Sequence, residues 1–274
     1  MKSMRKDRRL GNIDVWDIDT FDEELSQHLT GHSDLIRSYW LESRRLFDER
    51  EAQTLRGPPE HNVHADAYFT LCEGVTALME SRMIRAWHYT RLTLGEINLI
   101  HRFGMQPMTL ELIRQRLEDA IAAGHIDREV AKTLYVASPY HQQAMSNREH
   151  RFWLTARPYP IDDSGVQELL EKWGGESIYA NHSEGPMVEL LQGIGTPCVI
   201  EVALPTSATT RASCAAETVI DAWSFHLGCS GGWGGGSDMV AVVPIKAAWI
   251  IGIHEKGGGV FENHADSYAR RFPD

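Results

Sequence analysis

The pattern of apolar and polar positions changes character part-way along the chain. From Ile13 to about Gln53 it is helical, with Phe21, Leu25 and Leu29 at four-residue spacing, followed by Leu35, Tyr39, Leu46 and Phe47. Gly57-Pro58-Pro59 breaks that run. A further helix is predicted over Ala65–Ser81, on Tyr68, Phe69, Leu71, Cys72, Val75 and Leu78. After a short strand at RAWHYTRLT (Arg85–Thr93), three well-punctuated helices follow. Thr93 and Glu96 form a T-x-x-E capping box and Gly104 closes the first. Thr109 opens the second, which carries Leu110, Ile113, Leu117 and Ile121 and stops near Gly124. Asp127 caps the third, through about Val136.

From Arg151 the pattern turns to short strands. FWLT (Phe152–Thr155) reads as a strand before a turn, Ser164–Trp173 as a short helix and ESIYA (Glu176–Ala180) as a strand. Met187–Gly193 reads as a small helix and TPCVIEVALP (Thr196–Pro205) as a strong strand, with Glu201 inside an apolar run. Two more strand-like runs lie in MVAVVPIKAAWIIGIHE, separated by Pro244. Helices followed by many short strands predict an α+β fold with a mixed or antiparallel sheet. The division expected is a helical N-terminal extension over 1–82 and an α+β domain over 83–274. Residues 1–12 read as loosely attached, and SGGWGGGS (Ser230–Ser237) as a flexible loop.

Composition narrows the classes. A net charge of −11 over 274 residues disfavours generic binding to nucleic-acid phosphates, although MKSMRKDRRL is locally basic. Cys72, Cys198, Cys214 and Cys229 show neither CxxC spacing nor a dense framework, a pattern of reduced thiols in a cytoplasm. No apolar run approaches the length of a membrane span, and no apolar segment follows the charged N-terminus as in a signal peptide. A cytoplasmic protein without a membrane partner is expected.

Candidate chemistry gathers in the second half. His88 stands between aromatic residues one turn before a helix, either as a ligand contact or as a satisfied imidazole in a buried aromatic cluster. Phe152-Trp153-Leu154-Thr155 is a second aromatic strand, and it ends in a hydroxyl. WGGE (Trp173–Glu176) sets two glycines beside a carboxylate, where backbone can approach a ligand closely. Asp238 opens a strand directly after the glycine-rich loop. Together these residues are expected to line one pocket for a flat, polar cofactor.

In that order the motifs resemble the ADP-ribosyltransferase fold, the NAD-cleaving superfamily of bacterial toxins and poly-ADP-ribose-polymerase-like enzymes. The resemblance covers about residues 84–256: His88-Tyr89-Thr90 as the opening strand motif, FWLT as the second, and Asp238 to Pro244 with Trp249-Ile-Ile-Gly-Ile as the third. It implies a split mixed or antiparallel sheet and NAD as substrate, not as hydride carrier. It also implies transfer of ADP-ribose to a macromolecular acceptor in bacterial toxicity, defence or counter-defence; the acidic net charge favours a protein acceptor over nucleic acid, although the fold has nucleic-acid-modifying branches. Asp238 would stabilise the oxocarbenium-like ribose. His88, with Tyr89 and Thr90, would hold the dinucleotide, Phe152, Trp153 or Tyr89 would stack on nicotinamide, and Thr155 would hold its carboxamide. The chain departs from the family in having Asp where many members have Glu, and Gly236-Ser237-Asp238 lacks the first acid of an E-x-E pair. Glu176 and Glu217 are rival carboxylates.

Other readings remain beside this one: NAD hydrolysis without transfer, a catalytically silent binding module, or a helical interaction protein acting through residues 13–82. HNVHAD, with His61, His64 and Asp66, has no distant partner motif and reads as a solvated helix start, so no metal is expected. There is no G-x-S-x-G elbow for a hydrolase, no GK[ST] after the glycine-rich loop, and no GxGxxG after a strand.

Overall fold

The computed structural model describes residues 12–53, 60–142, 150–210, 212–229 and 238–264. The Gly57-Pro58-Pro59 break, the loop Ser230–Ser237 and residues 1–11 lie outside the described residues. The fold is α+β. A short strand β1 (Asn12–Ile13) leads into helices α1 (Glu23–Gly31), α2 (Ser33–Gln53) and α3 (Ala65–Glu80). Strand β2 (Met83–Leu92) is followed by α4 (Leu94–Phe103), α5 (Leu110–Ala122) and α6 (Arg128–Ala137). Next come β3 (Phe152–Thr155), α7 (Ser164–Glu171), α8 (Glu176–Tyr179) and α9 (Pro186–Gly193). The chain continues through β4 (Thr196–Pro205), α10 (Ala212–His226), β5 (Asp238–Ala241), β6 (Ile250–Glu255) and α11 (Gly259–Glu262).

The three helices after β2 start where their caps predict. Thr93 and Glu96 form a complete capping box at α4, and the side chains of Thr109 and Asp127 accept from the backbone of Leu112 and Val130. ESIY departs from expectation, forming one helical turn instead of a strand. Gly174 and Gly175 take positive φ (98° and 65°), and the Gly175 carbonyl accepts from Ile178 and Tyr179, which closes the turn before an extended run can begin.

The sheet runs β5-β3-β2-β4-β6, antiparallel throughout, with β1 added in parallel beside Met83 and Ile84. Strand β2 pairs with β4 from end to end, Met83 with Pro205 through Leu92 with Thr196. It meets β3 at one rung only, Trp87 with Thr155. Beyond that rung the two strands part.

The segment expected as an N-terminal extension shares the core of the sheet. Leu25, Leu29, Val75 and Met79 belong to one buried cluster with Ile84, Val202, Leu204 and Val219, and α3 packs along α10. Arg82, at the start of β2, is itself buried and donates to Asp22 and Glu24 at the start of α1. A second cluster joins α5, α6, α8 and α9 around Trp173, Ile178 and Leu191.

At the α3–α10 interface Asp221 approaches Cys72 and Tyr68, with Glu217 one turn earlier on α10. Burial, then the charge of Glu217, pushes the Asp221 carboxyl up to about 7. In the unfolded chain an aspartate titrates near about 3.9, so the folded state binds more protons across the window from there to about 7. Stability therefore falls as pH rises through that window. We expect Asp221→Asn to remove this loss and to unfold at higher temperature than wild type above about pH 7, as measured by thermal melts across pH.

Candidate functional site

The register of the sheet decides which candidate residues can meet. Successive side chains along a strand point to opposite faces, and residues paired across strands share a face. Trp87 pairs with Thr155 on one side and Glu201 on the other; Thr155 pairs with Asp238, and Glu201 with Gly252. Asp238, Thr155, Trp87, Glu201 and Gly252 thus form one lateral row across five strands, on one face. His88, paired with Ile200, points to the other face together with Thr90 and Phe152.

The single cleft expected to hold both His88 and Asp238 therefore does not form, because neighbouring positions on β2 alternate and Trp87, not His88, is in line with the acid. Three of the candidates do come together: Asp238 stands directly opposite Thr155, and Trp153, two residues earlier on β3, shares their face. Asp238 is exposed, Trp153 is 39 % exposed, and the Thr155 hydroxyl is buried with no hydrogen-bond partner among the described residues. A buried hydroxyl without a partner is costly. Here it sits beside an accessible carboxylate and an accessible indole.

His88 serves the junction between β2 and β3. Its Nδ1 lies 3.0 Å from the Trp153 carbonyl, which can only accept, so Nδ1 carries the hydrogen and Nε2 is left as an acceptor. The Phe152 ring stands edge-on, 6.3 Å away. Although part of its surface remains open, the imidazole is closely surrounded. Burial lowers its pKa, the carbonyl opposes this, and the charge of Arg116 adds to the lowering, so His88 is neutral near pH 7. Its hydrogen bond holds the Trp153 backbone where β3 leaves β2.

Several other assignments change. Tyr89 is buried, its hydroxyl accepts from the Tyr159 N–H at 2.7 Å and lies 3.0 Å from His264 Nε2, so its ring is not open for stacking. Thr90 and Phe152 are buried on the His88 face. Glu176 opens α8 beside the second core, away from the row, and Glu217 lies on α10 against α3. Arg91 donates to the carbonyls of Ile194 and Leu170, near the ends of α9 and α7, and so acts as a cap for helix C-termini.

Two charged networks escaped the sequence reading. On the face of the row, Arg85 joins Asp14 to Glu201, and Glu201 in turn holds His254 Nε2 at 2.9 Å. Burial pushes the Asp14 carboxyl up despite Arg85. Burial likewise acts to raise Glu201, but the bonds from His254 and Arg85 outweigh it and hold that carboxyl below its ordinary range. Burial, with His254 nearby, pushes His264 down to about 4. The second network centres on Glu96, which accepts from the Thr93 backbone, from Trp173 Nε1 at 2.9 Å and from Arg116 Nε at 2.7 Å; Arg116 also donates to Gly174. Here too burial acts to raise the carboxyl, and Arg116 with the other donors keeps it lowered. A lone acid inside the apolar run of β4 was the one available signal for the first network.

A hollow of about 640 Å³ between α5 and α6 is lined by Arg114, Arg128, Lys132 and Tyr135 and touches none of the row. Among the described residues no group of three or more His, Cys, Asp or Glu is placed to hold a metal ion, and no helix is long and apolar enough to cross a membrane. All four cysteines are free thiols. No protein family matches the chain, nor does any curated protein or solved structure.

Glu96 sits largely buried with its three donors around it. Glu96→Ala leaves Arg116 uncompensated and two further N–H groups without an acceptor, and is expected to cost about 3–5 kcal/mol in urea denaturation. Glu96→Gln, which keeps an acceptor, is expected to cost less.

Proposed function

We propose that the protein is an ADP-ribosyltransferase that cleaves NAD and transfers ADP-ribose to a macromolecular acceptor in the cytoplasm. The observation that carries this reading is the cross-strand pair of Thr155 and Asp238: a buried hydroxyl with no partner among the described residues beside an exposed carboxylate, with Trp153 on the same face. In support, the motif strands β2, β3 and β5, far apart in sequence, lie side by side in one sheet, and β2 and β3 pair at one rung.

The chemistry fits these groups. Breaking the nicotinamide–ribose bond builds positive charge on the ribose, and a fixed carboxylate at the 2′-hydroxyl opposes that charge most strongly where water is excluded. Asp238 supplies the carboxylate. The Thr155 hydroxyl takes up the nicotinamide carboxamide and so gains a partner, while Trp153 stacks on the pyridine ring. His88 acts indirectly, by holding the Trp153 carbonyl. The net charge of −11 favours a protein acceptor over a polyanion.

The test is nicotinamide release from NAD by the purified chain. Wild type is expected to release nicotinamide, Asp238→Asn to lose about 10²–10³-fold in kcat, and Thr155→Val to lose mainly in KM. His88→Gln is expected to fall between wild type and Asp238→Asn. Release without labelling of any protein acceptor would identify a glycohydrolase. NAD binding without release would identify a silent binding module, and absence of binding would overturn the reading.

A further inference from the structure

The charged network at the far end of the same row bears on the Thr155–Asp238 pair. His254 follows Gly252 by two positions on β6, and its ring folds back over the glycine. A Cβ at position 252 would stand 2.8 Å from the imidazole Cε1 and 3.2 Å from Nε2. The missing side chain is what lets the ring reach Glu201. Glu201 divides its oxygens between His254 Nε2 at 2.9 Å and Arg85 Nη1 at 3.0 Å, and Arg85 gives Nε and Nη2 to Asp14.

Asp14 and Glu201 are both buried, and Arg85 is the guanidinium they share. With both carboxyls ionised, one guanidinium leaves one negative charge over, which a protonated His254 cancels. The titratable and charged groups around His254 are Glu201 from β4 and His264 from the segment after α11, with Arg85 of β2 and Asp14 reached through Glu201 and Asp17 beyond Asp14. Arg85 also stacks over the Trp87 ring, 5.5 Å from its centroid, and Trp16 packs against the same indole at 5.1 Å. Trp87 is the direct neighbour of Thr155.

We propose that His254 is a protonation-dependent positioning residue for the Thr155–Asp238 pair. Charged, it shares Glu201 with Arg85 and leaves the guanidinium stacked on Trp87, which fixes the inner wall of the pair. Neutral, it leaves Glu201 with an uncancelled charge that draws Arg85 off the indole, and Thr155 loses its rigid neighbour. The part of this that concerns turnover rests on the NAD-cleaving reading; the coupling of His254 to Trp87 does not.

The experiment follows the indole N–H resonance of Trp87, assigned by its loss in Trp87→Phe, from about pH 5 to about pH 8, where a histidine changes charge. Nicotinamide release is measured in parallel. Both use the full chain carrying Asp221→Asn, which removes the α10 carboxyl that burial pushes up to about 7. Expected is a shift of the Trp87 resonance with pH, with kcat falling about tenfold towards high pH at unchanged KM, well short of the about 10²-fold that a 1 Å misplacement costs. His254→Gln and Gly252→Ala should both flatten the two profiles. A Trp87 resonance that titrates equally in His254→Gln, or that stays fixed in wild type, overturns the proposal, as does a kcat profile untouched by His254→Gln. Should wild type release no nicotinamide while Trp87 still follows His254, the coupling stands and the NAD reading alone falls.

Discussion

The central strand is held on its two sides in unequal ways. β4 pairs with all of β2, so one edge of β2 is rigid, while β3 forms a ladder pair with the other edge at Trp87 alone. That single rung sets the parity of everything beyond it: it fixes which of β3's alternating side chains face with Trp87, and so places Thr155 and Asp238 on that side and Phe152 on the other. Where β3 leaves β2, a side chain, that of His88, meets the main-chain carbonyl of Trp153. Backbone polar groups must be satisfied, and the His88 side chain does so here. A histidine at this position is thus explained by the geometry of the sheet before any ligand is considered.

The same face carries a buried set of charges, and their arrangement explains why a sheet tolerates them. Buried ions are stable only when paired and hydrogen-bonded. Asp14, Arg85, Glu201 and His254 come from four separate segments and leave no described carboxylate oxygen of Glu201 without a donor. Their attachment to Trp87 through Arg85 ties the polar network to the aromatic centre of the row. Glu96 plays the comparable part at the border between the two apolar clusters, where one carboxylate starts α4, anchors Arg116 of α5 and holds the Trp173 indole.

Much of the architecture was legible in the sequence because it is written locally. Thr93 with Glu96, Thr109 and Asp127 mark helix starts through their own hydrogen bonds, and the run Thr196–Pro205 is apolar enough to define β4 to the residue. Pairing is not local. Whether His88 or Trp87 faces Asp238 depends on register between strands more than sixty residues apart in sequence, and a shift of one position inverts it. The same limit hid the partners of Glu201: the isolated acid advertised a need, but nothing in the sequence named Arg85 or His254 as the answer. In ESIY the β-like composition was overridden by two glycines whose positive φ turned the chain first.

The route of the charged network through the chain has a consequence for how the protein is made. Synthesis delivers Asp14, Arg85 and Glu201 before His254, so a nascent chain can pair Arg85 with both acids and still leave one oxygen of Glu201 without its donor. That oxygen gains its partner only when β6 has emerged and its imidazole lies over Gly252. Until then a buried carboxylate is short of one donor, so the last strand of the sheet to be made is also the one that completes its polar interior.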